Sequence, residues 1–277
     1  MIILGVNAYH SDASACLLRD GALLAASEEE RFRRIKHWAG FPSEAVRHCL
    51  SESSIKIEDV EHVAINQDSQ ANLLEKVSYT LLRRPSLSLV LDRLHNKQRR
   101  MRIDDEIARI FGQQWSRRTH SVEHHLAHLG SAFLASRFDE AVSVSVDGFG
   151  DFASGAWGLG RGGLIEADDR VYFPHSLGIF YQAITQYLGF PHYGDEYKVM
   201  GLAPYGELRY MEQMRRIVRL VDDGTYALDL SYFRHAQEKV EYEWEDCQPV
   251  VGTLYSAALE KLLGEARAPG APLERRH

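Results

Sequence analysis

Residues 121–151, SVEHHLAHLGSAFLASRFDEAVSVSVDGFGD, read as a helix carrying paired histidines, then a strand, then a polar turn. His124 and His128 are four apart, so a helix over residues 123–137 projects both imidazoles from one face while His125 points elsewhere. Two neutral imidazoles so placed can grip one divalent ion. Residues 141–146, valine-rich and flanked by acidic residues, have the composition of a buried strand that ends in Asp147-Gly148-Phe149-Gly150-Asp151. A carboxylate and two flexible glycines at a strand end suit a metal at Asp147 and a phosphate against the backbone N–H groups of Gly148 and Gly150. A helical histidine pair also occurs as an ordinary packed pair, and DGxGD as a plain turn. Their succession in one helix–strand unit, about 20 residues apart, is what points to a site.

With 277 residues, 45% hydrophobic and 26% charged, the chain has room for one large or two modest domains. No apolar run approaches the ~20 residues of a membrane span, and MIILGVNAYHSD lacks the basic head and cleavage site of a signal peptide. The expectation is a cytoplasmic protein without membrane contact. Cys16, Cys49 and Cys247 are odd in number and far apart, which argues against a disulfide framework or a CxxC knuckle; they read as buried thiols. A net charge of −7 offers no general attraction for nucleic acid.

Working outward, residues 2–28 read as a three-stranded meander over 2–7, 13–18 and 22–26, with Arg19-Asp20-Gly21 as the hairpin turn. The first connection, Ala8-Tyr9-His10-Ser11-Asp12-Ala13-Ser14, gathers a histidine, an aspartate and two hydroxyls in a strand-to-strand loop, as a general base or phosphate cradle would need, or equally a capped polar turn. Residues 28–37, EEERFRRIKH, read as a solvated face laced with local ion pairs, or as a cleft in which Arg31, Arg34, Lys36 or His37 meets an anion or substrate. Ser43 is expected to cap a helix whose stripe is Ala45, Val46, Cys49 and Leu50, and residues 60–65 make the next strand, an α/β half-domain so far.

Residues 69–117 read as a helical insertion bearing Arg83, Arg84, Arg93, Lys97, Arg99, Arg100 and Arg102, without the interleaved aromatics of a nucleic-acid platform. Beyond the opening stretch, strands over 153–159 and 164–167 begin a second meander, followed by a helix through Leu177, Ile179, Phe180, Ala183, Ile184, Tyr187 and Leu188 that Gly189-Phe190-Pro191 stops. Residues 194–206, GDEYKVMGLAPYG, mark a shaped loop or helix start in which Lys198 can pair with a phosphate oxygen, though the glycine spacing is not that of a P-loop. Helices are expected over 211–221 and 254–266, and a loop over 269–272.

Six blocks together resemble one family: residues 8–15 (AYHSDASA), 28–41 (EEERFRRIKHWAGF), 123–133 (EHHLAHLGSAF), 146–150 (VDGFG), 174–190 (PHSLGIFYQAITQYLGF) and 197–206 (YKVMGLAPYG). They stand in the order found in the O-carbamoyltransferases of the nodulation-protein-U and cephamycin type. The resemblance implies a duplicated, RNase H-like or actin-like ATPase fold, with a first lobe over 1–140 and a second over 141–277. It also implies that ATP and carbamoyl phosphate yield carbamoyl adenylate, whose carbamoyl group passes to a hydroxyl of a sugar, antibiotic or similar acceptor. By that resemblance His124, His128 and Asp147 are metal ligands for iron or magnesium, and His10 and Asp12 are catalytic, although Ser11 separates a histidine and aspartate that family members often hold adjacent. By the resemblance Lys198 and Gly201 fall near the nucleotide phosphates, while Gly148 and Gly150 as phosphate contacts, and Arg34, Lys36 and His37 as substrate contacts, rest on the residue patterns above.

Family members are roughly twice this length, as a completed second lobe and a further domain require. The resemblance therefore leaves the rest of the second lobe and a YrdC-like adenylate-forming domain to a longer chain or a partner. The rival expectation is a non-catalytic binding module or one component of a split enzyme. A zincin-type hydrolase is disfavoured because HHLAH lacks the glutamate base between its histidines.

Overall fold

The alternation of residues 2–28 is realised as β1 (Ile2–Asn7), β2 (Ser14–Arg19) and β3 (Ala22–Glu28), paired antiparallel in a computed structural model. The structure describes residues 1–83, 103–112, 118–222, 224–236, 238, 240, 242–245 and 248–277. Asp20 (φ 51°) and Gly21 (φ 83°) take the left-handed conformations that a two-residue hairpin demands. After α1 (Glu30–Arg33), α2 (Ser43–Glu52) carries the chain across the sheet, so that β4 (His62–Ile65) adds parallel to β1; β5 (Arg118–Ser121) adds parallel to β4. The resulting order is β3-β2-β1-β4-β5.

One side of this sheet is closed by the predicted stripe Ala45, Val46, Cys49 and Leu50, all buried, with Leu4, Val6, Leu17, Val63 and Ile65. Each such aliphatic side chain contributes about 1.5–3 kcal/mol on burial. Two further helices, α3 (Leu73–Arg83) and α4 (Ile103–Phe111), fall within the expected helical stretch, and Ile103 and Ile107 join this core. The basic positions Arg84, Arg93, Lys97, Arg99, Arg100 and Arg102 lie outside the described residues, as does Cys247. Cys49 is buried and Cys16 partly so.

Contacts divide the chain into two compact units, Met1–His124 with Trp244–Pro249, and His125–Glu243 with Val250–His277. The second unit opens on α5 (His124–Leu134) and a three-stranded antiparallel meander, β6 (Glu140–Gly150), β7 (Ala153–Arg161) and β8 (Leu164–Tyr172). Here the expected buried valine strand is corrected. Val142, Val144 and Val146 are exposed by 69%, 64% and 58%, while Ser143 and Ser145 are the buried residues. The VSVSV alternation sends valines and serines to opposite faces, and the serine face is the one that is covered, Ser145 Oγ lying 2.9 Å from Nδ1 of the fully buried His125.

Helix α6 (Leu177–Tyr187) packs on β6 and supplies Ile179, Ala183 and Tyr187 to a core shared with Leu228, Phe233, Leu254 and Leu259. A short α7 (Glu196–Leu202) follows. The helix expected over 211–221 is cut short: α8 (Met211–Ile217) gives way to β9 (Val218–Leu220), which pairs with β10 (Tyr226–Leu228) because Gly224 allows the chain to reverse. β11 (Tyr242–Glu245), β12 (Gln248–Val251) and α9 (Ala257–Leu263) complete the order. Among the described residues, no helix is long and apolar enough to cross a membrane.

Candidate functional site

The boundary between the two units falls in the first turn of α5, so His124 rides on the same helix as His128, one turn away on one face. His124 is buried, and its Nδ1 lies 3.3 Å from the Asn66 carbonyl oxygen. A carbonyl only accepts, so that contact assigns the proton to Nδ1 and makes Nε2 the ligating nitrogen. His128 Nε2 lies 3.5 Å from Asp147 Oδ2. Ligand atoms of His124, His128 and Asp147 lie within 4.8 Å of one another. Two imidazoles and one carboxylate fit a borderline ion such as iron(II); magnesium prefers an all-oxygen shell.

The backbone that carries Asp147 is clamped from one side. Ser176, fully buried at the N-cap of α6, directs its hydroxyl at the carbonyl oxygens of Asp147 (3.0 Å) and Gly148 (2.8 Å), and accepts from Ile179 N–H. Gly178 comes so close that a Cβ there would stand 2.6 Å from the Asp147 carbonyl and the Gly148 nitrogen. Gly178→Ala is therefore expected to cost about 1–3 kcal/mol in urea unfolding and to weaken metal retention by moving Asp147; an unchanged midpoint would show that α6 yields freely. The expected glycine turn is corrected at the same place. Gly148 and Gly150 lie within strand β6, the left-handed residues are Asp151 (φ 48°) and Phe152 (φ 79°), and the Gly148 N–H is already taken by Asp147 Oδ1 at 2.6 Å.

In the first unit, the 8–13 loop and the 37–40 loop are stitched together by Tyr9 N–H to Gly40 O (3.1 Å) and Ala13 N–H to Trp38 O (2.9 Å). Tyr9 also leans on α4, donating to Glu106; burial pushes its phenol up to about 12. Across this seam Asp12 Oδ1 meets His37 Nδ1 at 2.8 Å, and Glu30 Oε2 accepts the His37 N–H at 3.1 Å. The hydrogen bond to Asp12 raises the His37 pKa above its ordinary 6.5, against the opposing pull of burial. The pair therefore adds stability that is complete below 6.5 and is lost as pH rises through the raised value. His10, in the same loop, packs its ring 5.4 Å from that of His124. Arg34 and Lys36 are exposed, Arg34 as the left-handed end of α1.

Sequence reading missed the residue that organises this seam. Glu29 is 0% exposed, not part of a solvated face, and its carboxylate accepts from Arg33 Nε (3.0 Å), Glu44 N–H (3.2 Å) and Ala45 N–H (2.7 Å). It occupies the N-terminus of α2, where Ser43 was expected to cap. Ser43 is instead the first helical residue, and its hydroxyl contacts Arg33 and Glu29. A carboxylate facing free N–H groups is what a helix start favours; among three consecutive glutamates, no local pattern marks which one turns inward.

Lys198 and Gly201 lie within α7, the helix-start alternative of the two expected there. Lys198 Nζ pairs with Asp195 Oδ1 at 2.6 Å, and Asp195 is buried. That bond raises the lysine pKa, so the ammonium is committed to a carboxylate.

Comparison with known proteins converges on one family. Residues 2–245 match the family described as Carbamoyltransferase N-terminus. The chain is 34% identical over 244 residues to the uncharacterized protein sll1178 of Synechocystis, covering 84% of this chain and 40% of that protein. It is 34% identical over 228 residues to nodulation protein NolNO of Sinorhizobium fredii, covering 81% of this chain and 32% of that one. With nodulation protein NolO of Bradyrhizobium diazoefficiens it shares 44% over 112 residues, 39% of this chain and 20% of that one. The chain thus spans two fifths or less of these relatives. Among solved structures, YeaZ from Pseudomonas aeruginosa aligns at a TM-score of 0.33 and 11% identity, over 63% of this chain and 69% of that one. The match over residues 2–245, reinforced by relatives that share about a third of their aligned residues across most of the chain, establishes that this chain belongs to the carbamoyltransferase N-terminus family.

Proposed function

We propose that this chain is the acceptor-handling part of a cytoplasmic O-carbamoyltransferase, passing a carbamoyl group from carbamoyl adenylate, made from carbamoyl phosphate and ATP, to a hydroxyl of a sugar or natural product. The observation that carries the reading is the convergence of His124, His128 and Asp147 in a chain of this family. The sheet order β3-β2-β1-β4-β5 and the second meander support a duplicated actin-like fold. The greater length of the relatives supports a YrdC-like domain or partner as the source of the adenylate.

A divalent ion, iron(II) by the donor set, would be held by His124, His128 and Asp147 and would supply Lewis-acid polarisation and orientation of oxygen ligands. The chain's own residues do the rest. Asn66 fixes the tautomer of His124 through its carbonyl, and Ser176 and Gly178 fix the Asp147 backbone. Arg34 and Lys36, exposed on the loop that Glu29 anchors, offer positive charge to an anionic donor group. Because Lys198 is paired with Asp195, its expected phosphate contact would require that pair to open.

The test incubates the chain with iron(II) or magnesium, ATP, labelled carbamoyl phosphate and a panel of hydroxyl compounds, with and without a YrdC-like protein. Labelled carbamate ester that forms only when the adenylate source is present is the expected result. Absence of ester in both arms, while a longer family member forms it under the same conditions, would leave a non-catalytic module as the better reading.

A further inference from the structure

Parallel strands β1 and β4 stay in register through Val6 and Ile65, so Asn7 and Asn66 stand next at their C-terminal ends, followed by Ala8 and Gln67. Gln67 Nε2 lies 3.5 Å from the Ala8 carbonyl oxygen, so the two chains are still side by side there. From this point β1 leads to β2 and β4 leads to β5, which lie on opposite sides of the pair. Such divergence at the carboxyl ends of parallel strands opens the crevice in which α/β sheets hold ligands. Three carboxamides gather at these two strand ends, and the carbonyl oxygen of each is buried with no hydrogen-bond partner among the described residues: Asn7 Oδ1, Asn66 Oδ1 and Gln67 Oε1. Gln67 as a whole is only 8% exposed. Two of the three are fixed in orientation by their nitrogens. Asn7 Nδ2 donates to the carbonyl oxygens of Ser11 (3.1 Å) and Asp12 (3.0 Å), and Gln67 Nε2 faces a carbonyl that can only accept. Flipping either amide would set oxygen against oxygen. A buried acceptor without a donor carries an uncompensated desolvation cost, and native interiors keep few of them.

We infer that Asn7 Oδ1 and Gln67 Oε1 accept the two N–H bonds of the carbamoyl group, and so select and orient it. The inference rests on the transferase reading above. A carbamoyl group presents two N–H donors beside one carbonyl oxygen, which complements two carboxamide oxygens that can only accept. An acetyl group puts a methyl in the same place and leaves both oxygens unpartnered; a carboxylate brings negative charge against them. Both are disfavoured, because a site built to hydrogen-bond a substrate N–H rejects an analogue lacking it far more strongly than an apolar pocket rejects a lost methylene. The location suits the role. Asn66, the residue before Gln67, meets His124 Nδ1 through its carbonyl oxygen at 3.3 Å. The loop that Asn7 ties down carries His10, whose ring is 5.4 Å from that of His124. The two oxygens therefore belong to segments that touch a proposed metal ligand. Held there by its nitrogen, the carbamoyl group keeps its carbon and carbonyl oxygen for the reaction with the acceptor hydroxyl; Asn7 and Gln67 themselves take no proton and form no covalent bond.

The decisive variant is Gln67→Met, which keeps the length of the side chain, removes its oxygen and loses only the 3.5 Å contact to Ala8. If the oxygen is held for a ligand, the ligand-free variant should unfold at a urea midpoint equal to or above that of wild type; a lower midpoint assigns Gln67 a structural role and overturns the inference. Binding is read by nitrogen-edited NMR of the 277-residue chain with methyl carbamate as probe, and with methyl acetate and methyl N,N-dimethylcarbamate, which have no N–H, as contrasts. Methyl carbamate should shift the side-chain amide resonances of Gln67 and Asn7, identified by their loss in Gln67→Met and Asn7→Asp. Its affinity should fall at least about tenfold in Gln67→Met. An equal response to all three probes, no response to methyl carbamate, or the same shifts produced by potassium chloride alone overturns the assignment. In the transfer assay with the YrdC-like protein and the hydroxyl panel, Gln67→Met should lower kcat/KM about 10²-fold. Unchanged transfer by the variant overturns the inference and leaves the transferase reading standing. Gln67-dependent binding of methyl carbamate in a chain that transfers to no acceptor does the opposite: the carbamoyl site stands and the transferase reading fails.

Discussion

Replacing His124 by alanine is expected to lower divalent-metal affinity by at least about 100-fold, beyond the 10–100-fold that loss of a ligand's supporting partner costs. The purified variant should retain almost none of the iron that the wild type keeps after reconstitution and desalting, and ester formation should fall with it. His128→Ala should behave likewise. The informative control is the adjacent histidine. His125 is fully buried against Ser145 with its ring 6.0 Å from that of His128 and is not among the grouped ligands His124, His128 and Asp147, so His125→Ala should lower stability by about 2 kcal/mol through lost packing and an orphaned hydroxyl, yet keep most of the metal. Metal content in His124→Ala equal to wild type, with an intact circular-dichroism spectrum, would remove the centre from the proposal.

That contrast shows what the sequence disclosed and what it withheld. The i, i+4 rule pairs His124 with His128 without coordinates, but it does not set His125 apart as expected: His125 is the i, i+3 neighbour of His128, and the two rings lie 6.0 Å from each other. The meander of residues 2–28 was equally legible, since a two-residue turn between alternating strands leaves little choice of register. The VSVSV strand was misread for a reason of the same kind: alternation shows that two faces differ but not which is covered, and here a buried histidine recruits the serine face. At residues 147–151 composition pointed to glycine as the flexible element, yet the left-handed turns fall on Asp151 and Phe152, because β6 runs on through Gly150 to pair with Ala153. The Asp12–His37 contact spans 25 positions between two irregular loops. No periodicity connects such positions, so the sequence supplied both residues and not their meeting.

The second large effect belongs to Glu29. Glu29→Ala is expected to destabilise the protein by about 3–5 kcal/mol, because it strips a buried carboxylate from two helix N–H groups and from the Arg33 guanidinium at once. Glu29→Gln keeps the volume and one acceptor but turns an amide N–H₂ toward donors, and should cost about 2 kcal/mol. The neighbouring Glu28→Gln is the contrast. Its pairing with Arg31 at 3.2 Å is solvent-exposed on both sides and should contribute no more than about 0.5 kcal/mol. Urea unfolding with a constant m-value measures all three, and a Glu29→Ala cost below about 1 kcal/mol would show that water replaces the carboxylate without strain. The consequence is not confined to stability. Glu29 ties the start of α2 to α1, and the segment between them carries His37, Trp38 and Gly40, the residues that meet Asp12, Ala13 and Tyr9. In Glu29→Gln, which should remain folded at 25 °C, a loosened segment would lower the His37 pKa toward its ordinary value before any loss of secondary structure, because the Asp12 carboxylate raises it only while the two loops stay in register.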